Sequence, residues 1–141
     1  SRFIQVTGQG LEKLSSIFVE FAKNNIEDVT DETLQKYREA PFRAPMIIIL
    51  ISEIKIHPKV PEIEQMLSTA AAAENILLAL NSLNYAGMWR TGVFALNEKI
   101  SKYLELEENQ KVIGYLYVGT ASGKQKKIPE METSEFVTQW I

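Results

Sequence analysis

The segment from Pro61 to Asn84 constrains the fold more than any other part of the chain, because it predicts one long, mostly apolar helix. Pro61 stands at a favoured first helical position, and the polar residues between Met66 and Leu80 are only Ser68, Thr69, Glu74 and Asn75. A helix that is apolar nearly all round must be buried on nearly all sides. Since a chain of 141 residues can hardly enclose such a helix alone, we predict a buried central helix at a homodimer interface.

The rest of the chain predicts a sheet that is covered by helices on both sides. Two continuous apolar runs, Met46 to Ile51 and Val112 to Val118, are typical of strands buried on both faces, and Gly114 is the weak point of the second. A shorter strand is predicted at Phe3 to Val6, and Gly87 to Thr91 is predicted to be a short extended segment. Further helices are predicted from Leu11 to about Asn24, from an N-cap at Thr30 to about Arg38, and after an N-cap at Asn97.

Composition excludes several classes of function. The chain has no cysteine and one histidine, so disulfides, thiolate catalysis and zinc–thiolate sites are ruled out, and a reducing cytoplasm is expected. The net charge is −3 and the longest basic run is Lys126-Lys127, which predicts no nucleic-acid partner. The longest apolar runs fall far short of the ~20 residues that span a bilayer, so no membrane association is expected.

Three polar positions have both a structural and a functional interpretation. His57 precedes the long helix and either only leads into it or contacts a ligand. Glu74 lies among alanines and leucines, where a buried carboxylate needs a partner, so it either forms hydrogen bonds at the interface or lies near a ligand. Glu62 and Glu64 are two residues apart on the helix and do not face each other, which favours a solvated face over a catalytic pair.

Residues 87–92 (Gly-Met-Trp-Arg-Thr-Gly) place a large aromatic ring, a permanent cation and a hydroxyl between two glycines. One interpretation is structural: a glycine that ends the helix, a packed tryptophan and a surface arginine. The other is a flat, polar-edged ligand site, in which freed backbone groups and the guanidinium of Arg90 bind a ring edge or a phosphate. Both interpretations are open at this point.

The chain resembles the nitroreductase family in residues 43–48 (Arg-Ala-Pro-Met-Ile-Ile), 57–62 (His-Pro-Lys-Val-Pro-Glu), 87–92 and 112–120, and in the alanine-rich helix. The resemblance implies one α+β domain over residues 1–141, with a mixed, mostly antiparallel sheet flanked by helices. It also implies a homodimer that binds FMN with residues of both subunits. Such enzymes pass electrons from NAD(P)H to small nitroaromatic or quinone-like acceptors by a ping-pong mechanism, and the cofactor carries the chemistry.

Within that pattern, Trp89, Arg90 and Thr91 match the stretch that contacts FMN, whereas no catalytic residue or metal ligand is indicated. Arg90 is the candidate for stabilising negative charge at the flavin's pyrimidine edge, or for binding its phosphate. Lys124, Lys126 and Lys127 are either weaker phosphate ligands or part of a solvated loop. The resemblance further implies that roughly the first forty residues of the family pattern, including an Arg-Arg-Ser segment, are absent here. The alternative function is a flavin-free dimeric scaffold or binding module of the same fold.

Overall fold

The computed structural model describes residues 1–122 and 127–141 and confirms the predicted strands and helices. The strands are β1 (Arg2–Thr7), β2 (Met46–Glu53), β3 (Ala86–Arg90) and β4 (Gln110–Gly119). The helices are α1 (Gln9–Asn25), α2 (Asp31–Glu39), α3 (Glu62–Ser82) and α4 (Ile100–Tyr103), and short 3-10 turns span Ala40–Arg43, Gly92–Phe94 and Thr133–Glu135. Pro61 is the N-cap of α3 rather than its first helical residue, and α3 ends two residues earlier than predicted.

The four strands form one sheet in the order β1-β2-β4-β3. Every pairing in the described part of the chain is antiparallel, so the mixed character predicted for the sheet is not found there. The reason is that β4 lies between β2 and β3, the two strands that run in the same direction. Helix α3 connects β2 to β3 across that gap and therefore crosses one face of the sheet.

Helices cover both faces of the sheet, as predicted, because successive strand residues point to opposite sides. On one face Ile47, Ile49 and Ile51 of β2 pack in a buried cluster with α1. On the other face Leu50 packs in a second cluster with Ala73 of α3. Burying each of these large aliphatic side chains contributes about 1.5–3 kcal/mol relative to leaving it exposed, so the two clusters hold the layers together.

Helix α3 is buried on one side only within a single chain. Thr69 and Ala73 face the sheet and are fully buried. On the opposite side Ile63, Leu67 and Leu78 are 58%, 60% and 59% exposed, and Ala71 between them is exposed as well. These four residues, called the outer stripe below, recur at helical spacing. A single chain therefore does not bury α3 on nearly all sides in the way that the sequence predicts, because its sheet covers only one side of the helix.

The ends of the shorter helices follow their capping residues. The hydroxyl of Thr30 accepts a hydrogen bond of 3.2 Å from the backbone N–H of Thr33, which confirms Thr30 as the N-cap of α2. The carboxamide oxygen of Asn97 accepts a bond of 3.0 Å from the N–H of Lys99. That bond forms the turn before α4, whose N-cap is Lys99 itself. Of the helices in residues 1–122 and 127–141, none combines the length and hydropathy that crossing a bilayer requires.

Candidate functional site

A cleft with a volume of about 320 Å³ opens on the α1 side of the sheet, beside the end of β3. We call it the aromatic cleft, because Phe18, Tyr37, Phe94, Tyr115 and Tyr117 line it. Its size lies at the lower end of the roughly 300–1,000 Å³ that small-molecule sites occupy. The predicted site residues Arg90 and Thr91 both line it as well.

Ring stacking fixes the wall of the aromatic cleft. Phe18 and Phe94 stack with centroids 3.9 Å apart and planes 3° from parallel, and the ring of Tyr37 meets Phe94 edge-on at 4.9 Å. The buried hydroxyl of Tyr115 donates a hydrogen bond of 2.7 Å to the carbonyl oxygen of Phe94. Burial raises the pKa of Tyr115, so its phenol stays neutral and acts as a structural donor. The wall is thus closely packed and apolar, which suits a planar ring.

A second cleft, of about 370 Å³, adjoins the first and extends over β3 and the end of β4. Pro45, Met88 and Gly119 contribute to its lining. Arg43, Arg90 and Tyr117 line both clefts, so these three side chains stand where the two spaces meet.

The two clefts carry positive charge. Lys36, Arg43 and Arg90 are among their lining residues, and no aspartate or glutamate of the described residues lines either one. Lys36 is already paired with Glu32 at 2.7 Å. Burial raises the pKa of Tyr117, and the positive charges of Arg43 and Arg90 act in the opposite direction, so both cations lie close enough to influence that hydroxyl. The junction therefore favours an anionic group.

The structure separates Trp89 from Arg90, which the sequence analysis placed in one ligand-binding stretch. Arg90 is paired with Tyr115 and faces the aromatic cleft, whereas Trp89 is paired with Leu116 and faces α3. The indole of Trp89 covers Gly114 so closely that a Cβ there would overlap its Nε1 atom. This difference arises because adjacent residues in a strand point to opposite faces. The structural interpretation of residues 87–92 therefore holds for Trp89, which is packed, whereas Arg90 lines a cleft.

Gly92 marks the place where a ligand can approach the backbone. Its φ is +55°, in the left-handed region that glycine adopts without strain, and a Cβ added to it would meet no atom within 4 Å. Gly92 lines the aromatic cleft beside Thr91. Stacked aromatic walls, an accessible backbone turn and two arginines are a combination that fits a planar heterocycle with a phosphate, as FMN has.

Other predicted positions lie outside the two clefts. The imidazole of His57 is exposed and its Nδ1 accepts a bond of 3.2 Å from the N–H of Lys59, which favours the helix-entry interpretation. Glu74 is exposed in the single chain, so the expected burial of its carboxylate is not found there. Glu62 lies in the first turn of α3 and accepts a bond of 2.6 Å from Lys111. Lys124 and Lys126 fall outside the described residues, and Lys127 is exposed.

Sequence reasoning missed the contributions of Arg43 and Tyr117. Both belong to the segments that carry the family resemblance, but no role was assigned to them. The alternation of side chains along β4 could have indicated Tyr117, because Tyr115 and Tyr117 share one face. Arg43 comes from the 3-10 turn before β2, and only the tertiary structure brings it to Arg90.

Comparison with known proteins agrees with this architecture. The sequence profile of the Nitroreductase family matches residues 1–120. The chain is 31% identical over 137 residues to the Escherichia coli K12 protein named "Putative NAD(P)H nitroreductase YdjA", covering 96% of this chain and 74% of that protein. It is 30% identical over 144 residues to the Haemophilus influenzae "Putative NAD(P)H nitroreductase", with the same shares covered.

Solved structures share the fold at lower sequence identity. Nitroreductase CinD from Lactococcus lactis, in complex with nicotinic acid, has a TM-score of 0.71 at 16% identity, over 97% of this chain and 75% of that one. The FMN-dependent nitroreductase NfnB from Mycobacterium smegmatis, in complex with NADPH, has a TM-score of 0.66 at 16% identity, over 97% and 77%. Together with the profile match and the sequence relatives, these similarities show that the chain belongs to the nitroreductase family and is an oxidoreductase enzyme.

Proposed function

We propose that this protein is an FMN-dependent NAD(P)H oxidoreductase that reduces nitroaromatic or quinone-like acceptors by a ping-pong mechanism. The observation that carries the proposal is the aromatic cleft, where an apolar wall, an open glycine turn and Arg90 lie together on one face of the sheet. The names of relatives and structural neighbours support the same cofactor and donor, since NfnB from M. smegmatis is FMN-dependent and binds NADPH.

When bound, FMN would accept two electrons from the nicotinamide donor and deliver them to the acceptor. The residues of this chain supply position and electrostatics. The stacked pair Phe18 and Phe94 backs a closely packed wall that excludes water from one side of the cleft. Arg90 places a permanent cation at the cleft, where it stabilises negative charge that a reduced ring or a phosphate carries. Thr91 and Gly92 offer a hydroxyl and an accessible backbone beside it.

We further propose that the active protein is a homodimer in the cytoplasm, with the outer stripe of α3 as the contact between subunits. Support comes from the exposure of Ile63, Leu67 and Leu78 along one line of the helix. Monomeric proteins rarely leave a contiguous apolar stripe of this kind in water, and pairing with a second copy would cover it. The predicted role of Trp89 at the cofactor would then involve its backbone, since its side chain packs toward α3.

The direct test is a flavin-binding experiment followed by steady-state kinetics. Purified protein incubated with FMN and freed of unbound ligand is expected to keep flavin absorption bands in the visible region. With NADPH as donor, double-reciprocal plots at several concentrations of a nitroaromatic acceptor are expected to be parallel. Intersecting lines would reject the ping-pong mechanism. Absence of retained flavin would favour the flavin-free scaffold or binding module instead.

Substitution of Arg90 by alanine is expected to weaken FMN binding by roughly tenfold or more, because a charge-assisted hydrogen bond contributes about 1.5–3 kcal/mol. Fluorescence titration of FMN measures the dissociation constant directly. Arg2→Ala is the matched control, since Arg2 pairs with Glu53 at 2.8 Å on the strand at the opposite edge of the sheet. Unchanged affinity in Arg90→Ala would remove this residue from the cofactor site.

A further inference from the structure

The chain has four arginines, and the structure divides them into two kinds. Arg2 pairs with Glu53 at 2.8 Å, and Arg38 donates a bond of 2.8 Å to Gln35. Arg43 and Arg90 instead line the junction of the two clefts, and within residues 1–122 and 127–141 neither forms an ion pair. The only side-chain bond recorded there for Arg90 is a weak one of 3.8 Å to the sulfur of Met88.

We infer that Arg43 and Arg90 jointly bind the phosphate group of a ligand, so that Arg43 is a binding residue of the site. Two guanidinium groups that share one cleft without a carboxylate repel each other, and an anion between them removes that repulsion. Their combined charge matches the charge of about −1.5 to −2 on a phosphate monoester at neutral pH.

The two arginines belong to different structural elements, so their guanidinium groups can hold one ligand between them. This arrangement is called the phosphate clamp below. Arg43 ends the 3-10 turn that follows α2, and Arg90 ends β3. Tyr117 of β4 lines the junction between them, and its phenol offers a further hydrogen-bond donor. Guanidinium forks that approach from two elements suit the several oxygens of a phosphate, whereas one carboxylate would engage only one fork well.

A second charged cavity gives a useful contrast. A cleft of about 190 Å³ is lined by Lys111, Glu62 and Glu98, and the ammonium of Lys111 lies 2.6 Å from Glu62 and 3.6 Å from Glu98. The ammonium group of Lys111 already has two carboxylate partners, so we do not expect that cleft to bind an anion. The junction at Arg43 is different because its cations have no such partner among the described residues.

The phosphate could come from FMN or from the nicotinamide dinucleotide, and this part of the inference rests on the proposed function. Paired ligands with and without phosphate separate the sources. Fluorescence titrations would compare FMN with riboflavin, and NADPH with reduced nicotinamide riboside, in wild type and in Arg43→Ala. The affinity advantage of a phosphorylated ligand is the ratio of its affinity to that of its phosphate-free counterpart. In the variant we expect this ratio to fall roughly tenfold or more for one of the two pairs, while the phosphate-free ligand binds as before.

Loss of the FMN advantage assigns Arg43 to the flavin phosphate, and loss of the NADPH advantage assigns it to the donor. Arg38→Ala is the matched control, because it removes the same charge on the helix just before Arg43 but outside both clefts. Arg43→Lys should give an intermediate loss, since it keeps the charge without the fork. If both advantages in Arg43→Ala stay within twofold of wild type, the inference is overturned.

The proposed function and the phosphate clamp can fail separately. If wild type binds neither flavin nor NADPH, the proposed function fails, and inorganic pyrophosphate then tests the clamp alone by thermal unfolding. A rise in Tm with pyrophosphate that disappears in Arg43→Ala would support the clamp without the enzyme. A wild-type Tm that does not respond to pyrophosphate, together with no binding of the larger ligands, would overturn the clamp.

Discussion

Gly114→Ala is expected to lower the free energy of unfolding by about 1–3 kcal/mol or more, the range for overpacking a filled core. A Cβ at residue 114 would overlap Nε1 of Trp89 and lie 2.8 Å from its Cδ1 and Cε2 atoms. The indole would have to leave its place against the cluster around Leu50 and Leu116. Backbone strain does not add to this cost, because Gly114 is not among the glycines with positive φ.

A double-mutant cycle in urea tests this explanation. Trp89→Ala removes the obstacle and leaves a cavity, so adding Gly114→Ala to it should cost little or even recover stability. The two substitutions should therefore be clearly non-additive. If Gly114→Ala unfolds at the same urea concentration as wild type, the close packing of Trp89 over β4 is not what holds this part of the sheet.

Leu67→Lys is expected to convert the proposed homodimer into monomers at micromolar concentration. Leu67 is 60% exposed near the middle of the outer stripe, between Ile63 and Ala71 on the same side of the helix. In a two-fold symmetric contact each substitution occurs twice, so a loss of about 2 kcal/mol at each position would raise the dissociation constant roughly a thousandfold. Light scattering coupled to size-exclusion chromatography measures the mass directly.

Phe42→Lys is the control for that experiment. Phe42 is 52% exposed, a fraction close to that of Leu67, but it lies in the 3-10 turn after α2, which packs with α1 and α2. It should leave the mass unchanged. A wild type that is monomeric, or a Leu67→Lys variant that stays dimeric, would contradict an interface built on the outer stripe.

The secondary structure was accessible from the sequence because each element has a local signal. The apolar runs of β2 and β4 and the cap at Thr30 are examples in which nearby residues decide the outcome. The surroundings of α3 were not accessible in the same way. Its composition indicates that most of its surface needs a cover, but one chain supplies cover only at residues such as Thr69 and Ala73.

The candidate site was predictable only in part, because it depends on contacts between distant residues. Arg90 and Thr91 were identified and line the aromatic cleft. The opposite direction of Trp89 follows from strand alternation, once β3 is known to be a strand rather than a loop. Arg43 reaches the junction from 47 positions earlier in the chain, and no local pattern connects it to β3. The sequence marks Gly114 as a weak point of β4, but the reason for a glycine there is visible only in the structure, where the indole of Trp89 covers it.

The position of β4 in the sheet also sets the order in which the molecule can be completed during translation. β3 is synthesised before β4, yet β4 is its partner, since β2 lies on the far side of β4. Until Gly119 has left the ribosome, the strand that carries Arg90 lacks its complete partner strand and packs against α3. A strand that waits for its partner leaves its edge exposed to aggregation. Both clefts therefore form late, because a nascent chain that stalls before β4 lacks Tyr117, which lines both of them.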